Sequence, residues 1–284
     1  MHSDVTSQKI VEQDVPDQNA AKSSTRRGPH IVGMLLFAWS WIVAGALLLF
    51  FASPALLMAS LFNRPDWIYW WASWGARNWI RLTGVRVKVR GREHLDPNQP
   101  YVFVANHQSY LDAAPLFAFT GRRVGALAKK ELLKAPILGY GMGFVNVIAI
   151  DRSNRERAVE TLQVAKDRLN SGISFVVCAE GTRAKPGEML PFKKGAFHLA
   201  VQAGVPIAPI ALKNSDVLMG KGTREAWPGT IEMVMLRPVD TSWVRTDEDL
   251  DQLVANVQSL LMNELGIKKL SQRPAKTTSA ENHK

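Results

Sequence analysis

The order of apolar and polar positions divides the chain into stretches of different character. Residues 1–30 are polar, rich in Gln, Ser, Asp and Lys, without hydrophobic periodicity. They read as a disordered arm. Residues 31–62 carry no charged side chain. As one straight helix they would be about 48 Å long, against a hydrocarbon core of about 30 Å. Pro54 is a natural break. Two arrangements are therefore open: residues 31–53 span a bilayer, or the two halves form a re-entrant hairpin. Residues 64–83 then place Trp67, Trp70, Trp71 and Trp74 at i, i+3, i+4 and i+7, on one helical face. With Arg77 and Arg81 close by, that face suits the headgroup layer of a membrane. A core-facing aromatic stripe is the alternative. Basic residues favour the C-terminal side of the apolar run, which orients the rest of the chain toward the cytoplasm.

From residue 85 the period changes. Val85, Val87 and Val89 alternate with basic residues as in a half-exposed strand. The apolar runs 101–105, 124–128, 145–150, 173–178, 205–212 and 230–236 read as further strands. Helices are predicted over 109–119, 153–170, 194–203 and 247–265, with a Gly-rich helix or turn at 138–144. Ser153-x-x-Glu156 reads as a capping box, and Gly172 and Gly204 follow helix ends. Strands alternating with helices predict an α/β fold: a mixed, largely parallel sheet flanked by helices, behind an N-terminal membrane-associated helical segment. The domain scheme is a polar arm 1–30, an anchor with its Trp-rich helix 31–83, one catalytic-size domain 84–266, and a polar tail 267–284 expected to be disordered.

Charge and cysteine content narrow the partners. Lys and Arg outnumber Asp and Glu 35 to 25, which suits phosphate, a membrane surface or nucleic acid. The basic residues are dispersed and the aromatics gather at 64–83, so nucleic acid is not expected. The single cysteine, Cys178, leaves no intrachain disulfide. It ends an apolar strand and reads as an inert core thiol. The sequence has no H-E-x-x-H, no paired C-x-x-C and no G-x-x-x-x-G-K-[ST]; no metal or cofactor is expected.

The candidate chemistry lies at strand ends. FVANHQSYLD runs from the strand at 101–105 into His107, with Asp112 five residues on. Residues five apart on a helix point about 140° away from each other. The two can pair only if His107 precedes the helix, and Ser109-x-x-Asp112 looks like the capping box that starts it near Tyr110. A histidine with a carboxylate beside it is a general-base arrangement; Asp112 as a plain helix cap is the alternative. Lys129, Arg152 and the run Glu180-Gly181-Thr182-Arg183 also follow strands. Basic groups with a glycine turn on one rim make an anion site.

Taken together, N-H-Q-S-Y-L-D at 106–112, A-I-D-R at 149–152, E-G-T-R at 180–183 and V-P-I-A-P-I at 205–210 resemble the four motifs of the glycerolipid acyltransferase family, nearest to its bacterial 1-acyl-sn-glycerol-3-phosphate acyltransferases. Lys129 in A-L-A-K-K-E-L and F-K-K-G-A-F-H-L-A at 192–200 also look like that family. The resemblance covers roughly 85–265. It implies His107 as the base for the acceptor hydroxyl and Asp112 as its orienting carboxylate. It further implies phosphate binding by Lys129, Arg152, Glu180, Gly181, Thr182 and Arg183. The reaction implied moves an acyl group from acyl-carrier protein or coenzyme A to lysophosphatidic acid, at a bacterial inner membrane, facing the cytoplasm. One departure stands out: the family usually has Phe-Pro before E-G-T-R, and here Cys178-Ala179 occupies that place. That leaves open an acceptor other than lysophosphatidic acid, or a non-catalytic membrane-anchored phospholipid-binding protein.

Overall fold

In the computed structural model, residues 28–63, 66–134, 137–150 and 155–272 are described. Seven strands form one sheet: β1 (Val85–Arg90), β2 (Val102–Ala105), β3 (Val124–Lys129), β4 (Val147–Ile150), β5 (Ser174–Cys178), β6 (Ile207–Lys213) and β7 (Gly229–Met235). Their order is β1-β7-β6-β2-β5-β3-β4. Every neighbouring pair is parallel except β6–β7. The mixed, largely parallel sheet expected from the sequence is therefore present.

Strand β2 sits at the centre, and all four of its residues are buried. Successive side chains on a strand face opposite ways. Val102 and Val104 pack into one core with Leu169, Phe197, Leu253 and Val257 from the helices α6 (Arg155–Asn170), α7 (Gly195–Ala203) and α9 (Asp247–Leu265). Phe103 and Ala105 pack into the other, with Ile80, Leu111, Leu116 and Met233. Helix α9 begins at the capping box formed by Thr246 and Asp249. The capping box expected at 153–156 lies outside the described residues. The chain stays docked past Gly266: Ile267 and Leu270 pack against the first core, and the Ser271 N–H donates to the Met189 carbonyl.

The N-terminal region is not the expected hairpin, and its helix runs on past Pro54. Helix α1 (His30–Leu47), a π-turn (Leu48–Ala52) and α2 (Ser53–Leu61) form one continuous helix of 32 residues. Pro54 does not break it, because the wider π-turn just before it accommodates the ring and the missing N–H. The Ser53 hydroxyl donates to the Leu48 carbonyl at 3.2 Å within that turn. The helix is long and apolar enough to cross a membrane, yet it touches the αβ domain near both ends. Gly33 lies against Trp227, and Leu56 lies against Gly141. Those two contacts are 23 residues, or about 35 Å, apart along the axis. The helix thus lies along the domain, with α3 (Asp66–Leu82) packed beside it. Its free face shows Ile31, Leu35, Ile42, Phe50, Leu57 and Leu61 to the outside. On α3 the tryptophan face also points out: Trp67, Trp70, Trp71 and Trp74 are exposed, while Ile68, Tyr69 and Ile80 turn inward.

Candidate active site

Strands β2 and β5 pair in register Ala105↔Cys178, so the loops leaving their C-terminal ends are neighbours. Asn106 is fully buried and ties the first loop to β6: its side-chain carbonyl accepts from the Leu212 N–H at 2.8 Å, and its amide donates to the Leu212 carbonyl at 3.0 Å. His107 follows at the rim, with a quarter of its side chain exposed.

Asp112 is fully buried, and its Oδ2 collects three donors: the His107 Nδ1 at 2.9 Å and the backbone N–H groups of Gln108 and Ser109 at 2.8 Å each. Oδ1 is buried without a partner among the described residues. An ionised carboxylate only accepts, so the His107 Nδ1 carries the proton and Nε2 keeps a free lone pair. That is the tautomer a general base needs. The reciprocal capping box is absent. The Ser109 hydroxyl accepts from the Leu111 N–H and donates to the Met219 carbonyl, and α4 (Ala113–Ala118) starts three residues later than predicted. Asp112 stands at the N-cap but makes no side-chain cap bond. The cap-only alternative does not describe it, because its carboxylate is folded back onto residues 107–109.

The second loop supplies the frame. Glu180 is fully buried: Oε1 accepts from the His107 N–H and Oε2 from the Leu190 N–H, each at 2.7 Å. Expected as a phosphate contact, it instead holds the histidine backbone in place. Gly181 adopts φ +72°, with the Lys193 stem against the position a Cβ would take. The turn that lacks the family's proline is closed by the Gly181 N–H to the Cys178 carbonyl (3.0 Å) and the Lys193 N–H to the Ala179 carbonyl (2.8 Å). Thr182 is exposed. The Arg183 guanidinium lies over the Tyr110 ring, 3.6 Å from guanidinium carbon to ring centroid, and one of its terminal nitrogens is buried without a partner among the described residues. The Ala184 N–H donates to the His107 carbonyl at 2.8 Å, binding the two loops together.

Of the eight residues singled out in the sequence, His107, Asp112, Glu180, Gly181, Thr182 and Arg183 are brought together. Lys129 ends β3 at the same end of the sheet, two strands from β2, and its side chain is not among those described. Arg152 lies outside the described residues. Lys221, whose ammonium donates to the Arg183 carbonyl at 2.6 Å, has no local signal in the sequence. It reaches the site only because residues 219–221 run beside Gln108, Ser109 and Tyr110. Among the described residues, no group of three or more His, Cys, Asp or Glu side chains is placed to hold a metal ion.

A protein-family model described as Acyltransferase matches residues 86–213. Over 183 residues the chain is 40% identical to 1-acyl-sn-glycerol-3-phosphate acyltransferase alpha of Mus musculus, covering 64% of each chain. It therefore spans a little under two thirds of that relative's length. The 1-acyl-sn-glycerol-3-phosphate acyltransferase of Limnanthes douglasii is 31% identical over 205 residues, 72% of this chain and 70% of that one. Among solved structures, the 1-acyl-sn-glycerophosphate (LPA) acyltransferase from Thermotoga maritima superposes with a TM-score of 0.71 at 26% identity, covering 85% of this chain and 99% of that one.

Proposed function

Because the chain belongs to the 1-acyl-sn-glycerol-3-phosphate acyltransferase family, we propose that it acylates the free hydroxyl of 1-acyl-sn-glycerol 3-phosphate, giving phosphatidic acid. The donor is a fatty acyl thioester of acyl-carrier protein or coenzyme A. The observation that carries this reading is the pairing of His107 with buried Asp112 at 2.9 Å, beside an arginine whose guanidinium has a buried N–H unused among the described residues.

The geometry performs the reaction in two proton steps. Nε2 of His107 takes the proton of the acceptor hydroxyl as its oxygen forms a bond to the thioester carbonyl carbon. Asp112 stabilises the imidazolium that results. When the carbon–sulfur bond breaks, the imidazolium returns that proton to the departing sulfur. Ester and free thiol leave, and the histidine is regenerated. Arg183 offers N–H donors to the acceptor's phosphate, as a planar guanidinium does for phosphate oxygens.

The same proposal places the protein on a membrane with its catalytic rim toward the cytoplasm. The support is the helix lying along the domain and the tryptophan face of α3, both presenting apolar surface outward. The contacts of the helix with the domain at Gly33 and at Leu56 support an orientation along the membrane surface. The helix then lies in one leaflet, as interfacial helices do. The active-site rim then sits at headgroup depth, where a lysolipid offers its phosphate without leaving the lipid phase. Purified protein, assayed with labelled lysophosphatidate and each donor in detergent and in liposomes, tests this. Labelled phosphatidic acid from at least one donor is expected; none from either would overturn it.

A further inference from the structure

Tyr110 lies inside the H-x-x-x-x-D stretch, and no step of the reaction uses its side chain. Its surroundings give it a task. One ring face carries the Arg183 guanidinium at 3.6 Å. The ring's other neighbours come from α1: Phe37 at 6.0 Å and Trp41 at 5.7 Å between centroids, both edge-to-face. Its backbone N–H donates to the Met219 carbonyl, the same oxygen that receives the Ser109 hydroxyl. Helix α1 is fixed to that segment too, through the Ser40 hydroxyl on the Met219 sulfur, while Trp79 donates to the Ser40 carbonyl. Behind the arginine, Lys221 holds the Arg183 carbonyl. The guanidinium is thus held over a ring that is itself clamped by the N-terminal helix.

Stacking spends the face of a guanidinium and leaves its in-plane N–H groups for oxygen acceptors. Among the described residues, the buried unpaired terminal nitrogen is such a group with no protein partner. We propose that Tyr110 is a positioning residue: it aligns Arg183 for the acceptor's phosphate, and it makes that alignment depend on α1 being seated against the domain. The inference rests on the proposed function, since it takes the acceptor to be a phosphate-bearing lysolipid.

The test uses the full-length protein with Tyr110→Leu, Tyr110→Phe, Trp41→Ala, Arg183→Ala and the double variant Tyr110→Leu/Arg183→Ala. Loss of a partly desolvated cation–π contact, between the exposed and the fully desolvated cases, corresponds to about a tenfold weakening. Tyr110→Leu should therefore raise the acceptor KM about tenfold with the donor KM and kcat little changed, and Tyr110→Phe should restore it. In the Arg183→Ala background Tyr110→Leu should add nothing. Phenylglyoxal labelling of Arg183, read by peptide mass spectrometry, needs no turnover. It should quicken several-fold in Tyr110→Leu and, to a smaller extent, in Trp41→Ala, whose half-exposed ring makes it the variant that keeps the fold. Unchanged labelling in both variants overturns the proposal, and so does an equal Tyr110→Leu effect with and without Arg183. If Arg183→Ala raises the acceptor KM but Tyr110→Leu does not, the positioning role alone fails. If Arg183→Ala leaves it unchanged, the phosphate assignment fails and the positioning role falls with it.

Discussion

Asp112→Asn separates a catalytic carboxylate from a structural one. Asp112 receives two backbone N–H groups and the His107 Nδ1 on a single oxygen, and its other oxygen has no partner among the described residues. An asparagine can keep that arrangement. Its carbonyl oxygen stays on the three donors and its amide takes the unpartnered side. Flipping the amide would aim its N–H groups at two backbone N–H groups, so the native orientation is held. Stability should then fall by about 1–3 kcal/mol, because the new amide N–H groups take a buried side with no partner among the described residues. What goes is charge. Unit charges about 4 Å apart interact by roughly 4 kcal/mol at an effective dielectric near 20. The imidazolium formed during acyl transfer loses that support, which corresponds to a fall of about a thousandfold in kcat. Steady-state acyl transfer, with thermal melting run alongside, measures both quantities. Activity within tenfold of wild type, in protein still folded at the assay temperature, would refute the electrostatic role and return Asp112 to being a loop-forming residue.

Glu180→Gln should act in the opposite sense, mainly on stability. One of the two N–H groups now bonded to the carboxylate would face an amide N–H, costing roughly 1.5–3 kcal/mol. The melting temperature should fall by about 3–10 °C, read by calorimetry. For membrane binding, high salt should leave the full-length protein on vesicles and detergent should release it, because the outward face of 30–61 is apolar and unscreened. An Ile10→Cys label should react only from the cytoplasmic side; reaction only from the far side would show that the helix crosses. Asp249, at the start of α9, is held below the usual carboxylate range by the backbone N–H groups of Arg245 and Thr246. A depressed folded-state value contributes stability above the unfolded pKa of about 3.9, and that contribution is lost as pH falls through the lower folded value. The melting difference between wild type and Asp249→Asn should therefore shrink below about pH 4, and a difference constant down to pH 3 would refute it.

Most of the sheet was legible because β2, β5 and β6 are continuous apolar runs with clear helix ends between them. Angular spacing allows His107 to pair with Asp112 only if His107 precedes the helix, and the resemblance of the four motifs is what favours that pairing over a plain helix cap. The late start of α4 was not legible: Ser109 turns its hydroxyl to Met219, 110 residues away in sequence, and no local pattern encodes that bond. Glu180 was read as a phosphate contact because it sits in E-G-T-R. Only the three-dimensional path of His107 and Leu190 shows that its carboxylate faces inward. Pro54 misled for a related reason: proline breaks an ordinary α-turn, and the π-turn at 48–52 that tolerates it has no sequence signature. Lys221 reaches the site through the pairing of 219–221 with 108–110, and the aromatic clamp on Tyr110 depends on where α1 lies; both follow from long-range contacts and not from hydrophobic periodicity.

The central claim is that His107 is the base that moves the acceptor's proton. The most direct measurement is single-turnover acyl transfer by His107→Ala in liposomes holding labelled lysophosphatidate, beside wild type and with vesicle binding recorded for both. The account predicts equal vesicle binding, a normal melting profile and loss of phosphatidic acid formation by at least about a hundredfold, the scale of general-base catalysis. Phosphatidic acid formed at the wild-type rate by His107→Ala would contradict it.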